Sequence, residues 1–166
     1  SPVGKDAGTY STVSSRAVGV GYRALARYGL SSTVTGAPVA IGFEAGHYAT
    51  GSTNVFVGYE AGKGGTTSAP LSHDITTGTG NTLVGNAAGD KITTAGYNAV
   101  FGAGALGAMA ADADDNAAIG SFAMSSANNA DAIDNVAIGA YTGTGGSGAL
   151  KRSIAIGKNA LNSTNV

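Results

Sequence analysis

One short motif recurs eight times along the 166 residues and constrains the fold more than any other feature. Each copy has three strand-forming residues, then a glycine, and in seven copies an alanine follows that glycine three residues later. A copy is too short for a βαβ unit and its apolar run is too short for an amphipathic helix. The motif therefore predicts an all-β chain, a parallel β-roll or β-solenoid of about eight coils. The repeat glycines are Gly21, Gly42, Gly58, Gly85, Gly102, Gly120, Gly139 and Gly157.

The segments between the copies are rich in Gly, Thr, Ser, Asp and Asn, and most of them end on an asparagine just before the strand. A glycine at one fixed corner permits a positive φ or a close approach of two backbones. The alanine that follows is small enough for a narrow interior, and stacked asparagines can hydrogen-bond the turns. These asparagines are Asn54, Asn81, Asn98, Asn116, Asn135 and Asn165.

The strand pattern also predicts assembly. The first and third residues of a strand face one side and the middle residue faces the other. Because the middle residue is also apolar or glycine in every copy, we expect it to be covered by neighbouring chains. Closed symmetry favours a parallel homotrimer, although a two-chain sandwich also satisfies the pattern. The predicted trimer interface comprises Ala40, Phe56, Leu83, Val100, Ala118, Ala137 and Ala155.

Composition narrows the function. The net charge is −1 and no basic cluster exceeds Lys151-Arg152, which argues against nucleic acid or anionic membrane as a partner. No apolar run approaches the ~20 residues of a membrane span. The absence of cysteine excludes thiol chemistry, and the two histidines show no catalytic or metal-ligand spacing. We expect neither an enzyme nor a bound cofactor or metal.

Two motifs, Asn135-Val-Ala-Ile-Gly139 and Ser153-Ile-Ala-Ile-Gly157, resemble the head repeats of trimeric autotransporter adhesins. The longer unit, carried best by 102–106 and 157–161, is similar to repeats of phage-type tail fibres and related bacterial fibre adhesins. The resemblance covers residues 16–166. It implies a left-handed parallel β-roll trimer, located outside the cell on a cell surface or a virion tail, that attaches to a surface glycan or another receptor.

The resemblance leaves several points open. It does not name the ligand, separate phage from bacterial origin, or distinguish a shaft from a tip. In such fibres a self-cleaving chaperone often follows the repeat, and Asn165-Val166 would begin a further copy, which favours continuation. Copies that end in Ala-Gly in place of Ala-Leu predict a coil that varies along the rod.

We expect a lead-in at 1–15 and one repeat domain at 16–166. Two intervals exceed the repeat length, 26–38 and 63–80, and should project from the rod. Insertions in repeat proteins often bind ligands, although tolerated surface loops are equally common. The candidate ligand-binding residues, suited to sugar stacking and to hydrogen bonding of hydroxyls, are Tyr28, His47, Tyr48, Tyr59, His73 and Asp74.

Glu44 and Glu60 occupy the same repeat position and should stack in adjacent coils. Paired carboxylates hydrolyse glycosides, so a polysaccharide-degrading, tailspike-like fibre is the alternative function. A repeat-generated pair is more typical of a solvated ladder. An ice-binding solenoid ranks third, because Thr76-Thr77 and Thr93-Thr94 recur but regular threonine ranks are missing.

Aromatic residues follow the corner glycine in several copies. They predict a stacked ladder, which either presents a glycan platform or packs over neighbouring coils or the seam between chains. The residues are Tyr22, Phe43 and Tyr59 directly after the glycine, with Phe122 and Tyr141 one position later.

Overall fold

A computed structural model of the chain shows a parallel β-solenoid, as the repeat predicts. Eight strands form one sheet in chain order, every pair parallel, and no helix occurs among the described residues. The structure describes residues 3–9, 16–27, 36–64, 78–107, 113–125, 132–144 and 151–162. The strands are β1 (Val18–Val20), β2 (Val39–Ile41), β3 (Val55–Val57), β4 (Thr82–Val84), β5 (Ala99–Phe101), β6 (Ala117–Ile119), β7 (Val136–Ile138) and β8 (Ile154–Ile156).

All strands pair in register, so each repeat position forms a column along the rod. Ala40 lies opposite Phe56, and Phe56 lies opposite Leu83. The two long intervals do not shift this register, since β1 still pairs with β2 and β3 with β4. Most of both intervals, residues 28–35 and 65–77, falls outside the described residues, so their projection from the rod remains a prediction.

The corner glycines have the conformation that the repeat predicts. Their φ angles lie between +117° and +151°, a region that side-chain-bearing residues rarely adopt. The approach of successive coils is equally restrictive: a Cβ on Gly21 would lie 2.5 Å from the carbonyl oxygen of Gly42. Both constraints require glycine at this corner.

Two consecutive turns follow each corner. In the first coil the amide of Ala24 donates to Gly21 and that of Ala26 donates to Arg23. The third residues of these turns, Arg23 and Leu25, have φ of +51° and +53°, the sign of a type II turn. A left-handed residue other than glycine costs roughly 1 to 2 kcal/mol. Hydrogen bonds to adjacent coils, such as Leu25 N to Ala45 O at 3.1 Å, hold these residues in place.

The asparagines form the hydrogen-bonded column that their position predicts. The side-chain amide of Asn98, which is 1% exposed, donates to Asn81 Oδ1 at 3.0 Å and to the carbonyl of Ala113 at 2.6 Å. Its own Oδ1 accepts the backbone amide of Asn116 at 3.0 Å. The column runs from Asn54 to Asn135, and Asn165 lies outside the described residues.

The two strand faces are the reverse of the prediction. The middle residues are enclosed by their own chain, with exposures of 0 to 5%, while first and third residues such as Ile41 (43%) and Phe101 (44%) face outward. The narrow interior accepts one strand side chain per coil beside the turn alanine, so the paired Val and Ile residues point out. Assignment of the middle residues to a contact between chains is therefore wrong for Ala40, Phe56, Leu83, Val100, Ala118, Ala137 and Ala155.

In two coils the side-chain volumes at two interior positions compensate each other. Where the middle residue is the large Phe56, the residue after the turn alanine is Gly62, and a Cβ there would overlap the ring. Where the middle residue is Gly19, the equivalent position holds the buried Leu25. In these two coils the choice between an Ala-Gly and an Ala-Leu ending thus reflects complementary packing.

Residues 3–9 add a further partial coil below β1. Val3 forms a parallel bridge with Val20, and its amide donates to Gly19 at 2.7 Å. Gly4 has φ of +130° and a Cβ there would lie 2.6 Å from the carbonyl oxygen of Gly21, as at the other corners. The sequence Gly4-Lys-Asp-Ala7 thus repeats the corner and its alanine. Ser1 and Pro2 stand where the other copies have apolar or other strand-forming residues. For this reason the motif does not reveal this copy, which falls within the predicted lead-in.

Candidate functional site

The turns of the first coils border a polar cavity of about 360 Å³ that is partly open to solvent. Its walls come from three successive copies, at 4–9, 21–27 and 42–48. Because the coils are in register, residues at equal distances from their corner glycines meet there. The cavity is lined by Asp6, Thr9, Arg23, Ala26, Arg27, His47 and Tyr48.

His47 and Tyr48 contribute the rings of this cavity. Their centroids lie 4.2 Å apart with a tilt of 41°, and the Arg27 guanidinium lies 5.7 Å from the centre of the Tyr48 ring. His47 is 5% exposed, and its buried Nδ1 has no hydrogen-bond partner among the described residues. Burial lowers the pKa of His47 to about 4, with Arg23, Arg27 and Lys63 adding to the effect and Glu44 opposing it. The imidazole is therefore neutral at pH 7.

A chain of ion pairs borders the cavity. Lys63 Nζ lies 2.6 Å from Glu44 Oε2 and 2.9 Å from Glu60 Oε1, and Arg23 lies 3.3 Å from Glu44 Oε1. Burial raises the pKa of Glu44, but the hydrogen bonds and charges of Lys63 and Arg23 outweigh it, so the pKa is lowered. Burial lowers the pKa of Lys63, and its two carboxylate partners raise it further than burial lowers it.

The ion pairs of Lys63 bear on whether the predicted carboxylate pair could act in catalysis. Glu44 and Glu60 do lie in adjacent coils, but one ammonium group is bonded to both. The acid of a glycosidase pair needs a raised pKa, whereas that of Glu44 is lowered. The pair thus has the character of a structural ion-pair ladder.

The aromatic ladder is present beside the corner. The rings of Tyr22 and Phe43 stack at 5.1 Å, and those of Phe43 and Tyr59 at 4.9 Å with 6° between their planes. The Arg23 guanidinium lies 5.0 Å from the centre of the Tyr22 ring. Phe43 is thus stacked between two rings, and Tyr22 contacts both Phe43 and the Arg23 guanidinium. Tyr59 is exposed. A second stack, between Phe122 and Tyr141, has a spacing of 5.3 Å.

The structure brings together two of the six predicted ligand-binding residues. His47 and Tyr48 line the cavity, whereas Tyr59 belongs to the aromatic ladder and does not. Three predicted residues lie outside the described part of the chain: Tyr28, His73 and Asp74.

Four polar lining residues are absent from the prediction: Asp6, Thr9, Arg23 and Arg27. The repeat contains the signal for two of them. Arg23 stands two residues after its corner glycine, as Glu44 does, and Arg27 stands six after, as Tyr48 does. Residues at equal offsets belong to one column, so Arg27 had to approach Tyr48.

A second feature runs along the outer face of the sheet. We call it the outer strip: the first and third residues of every strand, all at least partly exposed and all apolar except Thr82. At ~4.8 Å per strand it extends for roughly 34 Å. Strands of parallel sheets are usually covered on both faces, and a large exposed apolar patch marks an interface. Its members are Val18, Val20, Val39, Ile41, Val55, Val57, Thr82, Val84, Ala99, Phe101, Ala117, Ile119, Val136, Ile138, Ile154 and Ile156.

Within the described ranges, no group of three or more His, Asp or Glu side chains is placed to hold a metal ion. Nor do these ranges contain a helix long and apolar enough to cross a membrane. Comparison with protein-family models, with curated proteins and with solved structures gives no match. The function is therefore argued from the cavity, the outer strip and the repeat.

Proposed function

We propose that the chain is a segment of a homotrimeric attachment fibre, displayed on a cell surface or a virion tail, that binds surface glycan. The outer strip is the observation that carries this proposal. In a single chain, side chains such as Ile41, Ile119 and Ile154 are 41 to 74% exposed. Such a face is stabilised when it is covered by other apolar surface.

Identical chains are the partners that best match the strip. It has the same repeat as the sheet, so a parallel copy presents equivalent residues at every level. Cyclic symmetry allows three copies to place their strips around one axis and leaves none exposed. The resemblance to trimeric fibre adhesins supports three chains, and a two-chain sandwich would cover the same strip.

In this proposal the rod extends the binding sites away from the surface that carries it, and the cavity binds the glycan. Each coil contacts only its neighbours, so a solenoid extends by adding copies. A trimer carries three copies of the cavity, and several weak sites on one rod bind a glycan-covered surface by avidity.

The assembly is tested by mass in solution, measured by light scattering. We expect three times the 16.0 kDa of the chain. The variant Ile119→Lys/Ile138→Lys places two charges in the strip and should yield monomers that remain folded by circular dichroism. Ser121→Lys, at an exposed position beside β6, is the matched control and should remain trimeric. A monomeric wild type contradicts the assembly, and a dimeric mass replaces the trimer with the sandwich.

The attachment function is tested separately on a glycan array and on purified surface polysaccharide. We expect binding without release of reducing ends. Release of reducing ends that is lost in Glu44→Gln would instead establish the polysaccharide-degrading alternative. A trimer that binds no glycan would contradict glycan recognition and leave the assembly intact.

A further inference from the structure

We propose that the cavity at the first coils binds a carboxylated sugar, a uronic or nonulosonic acid unit of the surface glycan. This inference rests on the proposed attachment function and specifies its ligand. The cavity brings together two guanidinium groups, a carboxylate, a hydroxyl, an imidazole and a phenol ring from three successive coils.

The cavity volume limits the ligand to one or two sugar units. At about 360 Å³ it lies at the small end of the ~300 to 1,000 Å³ range of ligand pockets. The rod continues beyond the cavity. A longer glycan would therefore place one of its own ends in the cavity.

The charges in the cavity favour an acidic unit. Of the charged side chains that line it in the described residues, Arg23 and Arg27 are cationic and Asp6 is anionic. Glu44, which borders it, is bonded to Lys63 at 2.6 Å as well as to Arg23, and Lys63 is shared with Glu60. The Arg23 side chain is 44% exposed and carries five donors, of which the bond to Glu44 uses one. A planar guanidinium recognises a carboxylate through two parallel hydrogen bonds.

The remaining lining groups suit the rest of a sugar. Asp6 and Thr9 offer oxygen atoms to hydroxyl groups, and the Tyr48 ring offers an apolar face or edge to C–H groups. The His47 imidazole, whose buried Nδ1 has no hydrogen-bond partner in the described residues, lies in the same lining. A small inorganic anion would use the guanidinium groups and leave the other contacts unmade.

The test compares two sugars that differ only in the group at C6. Methyl glucuronide and methyl glucoside share one pyranose ring, and only the first carries a carboxylate. Titration of the intact fibre, followed by NMR of the sugar, should show binding of the glucuronide and roughly tenfold or weaker binding of the glucoside. Methyl N-acetylneuraminate glycoside serves as a second acidic probe.

Variants assign the binding to this cavity. Arg27→Gln should weaken glucuronide binding by roughly tenfold or more, while its circular dichroism and mass remain those of the wild type. Arg152→Gln is the matched control, because its side chain is 86% exposed and lies at the opposite end of the rod. It should bind as the wild type does.

Three outcomes would overturn the inference. Equal binding of glucuronide and glucoside contradicts recognition of the carboxylate. If Arg27→Gln and Arg152→Gln bind the glucuronide equally well, the binding site is not this cavity. If the array shows glycan binding but neither acidic probe binds, the ligand class is wrong while attachment stands. Absence of binding to any glycan removes the proposed function itself.

Discussion

Phe56 and Gly62 lie in one coil, and the Phe56 ring occupies the space that a side chain at position 62 would need. The same ring restricts the preceding coil, since a Cβ on Gly46 would lie 2.6 Å from Phe56 Cδ2. The largest enclosed side chain of the rod is therefore accommodated by two glycines whose φ angles are +55° and +58°. Sequence spacing alone does not show this dependence.

Gly62→Ala should destabilise the fold by about 2 to 4 kcal/mol, because overpacking adds to the cost of a left-handed alanine. Urea denaturation measures the change. Gly143→Ala is the matched control, since it has φ of +67° in a coil whose middle residue is the small Ala137, and it should cost less. In the Phe56→Leu background, Gly62→Ala should cost less, because the ring is gone while the backbone strain and the approach to Leu83 remain. Equal costs in both backgrounds would refute the steric explanation.

Asn98→Ala should destabilise the fold by about 3 kcal/mol or more. It removes the acceptor of the Asn116 amide and the donor to Ala113, and leaves these buried groups without partners. Asn86→Ala, at an exposed position, is the control and should hardly change the free energy of unfolding. Thermal melts of both variants suffice, and similar melting temperatures would show that the asparagine column contributes little.

Stability should fall as the pH falls from about 6.5 to about 4. The pKa of His47 is about 4 in the fold and 6.5 in the unfolded chain, so the unfolded state binds more protons in that window. His47→Phe removes this titration and should flatten the dependence of the unfolding free energy on pH. Glu44, with its lowered pKa, contributes stability that is lost at lower pH, and that part should persist in the variant. Parallel curves for variant and wild type would contradict the role of His47.

Lys63→Met should destabilise the first coils by about 1 to 2 kcal/mol, because it leaves Glu44 and Glu60 beside each other without their shared cation. Adding Glu60→Gln should recover part of the loss. Chemical denaturation of the single and double variants measures both effects. A double variant no more stable than the single one would show that repulsion between the carboxylates is not the cause.

The elements that recur at one repeat position could be predicted from the sequence. The corner glycines and the asparagine column are hydrogen-bonded or packed against the equivalent residue of the next coil, so periodicity alone locates them. The orientation of the strands could not be predicted by alternation, because both faces are apolar. It depends on volume: the interior varies from Gly19 to Phe56 only because Leu25 and Gly62 compensate.

The candidate site was predictable in part for a related reason. His47 stands out because the chain has two histidines, and Tyr48 follows it directly. Arg23 and Arg27 are ordinary as individual charges, and they gain meaning only when equal offsets from the corner glycine are read as columns. Asp6 required recognition of the copy at 3–9, which pairs with β1 through the bridge at Val3.

The pairing of Phe56 with Gly62, and of Gly19 with Leu25, restricts which coils can be exchanged between solenoids of this type. In these two coils the strand and the turn that follows it carry matched volumes, so recombination that separates them joins a large residue to another large one or leaves a void. A duplication or graft whose boundary lies just before the asparagine that precedes a strand keeps that strand and its turn together. The inheritable module of such a rod therefore starts at that asparagine and includes the residue after the turn alanine.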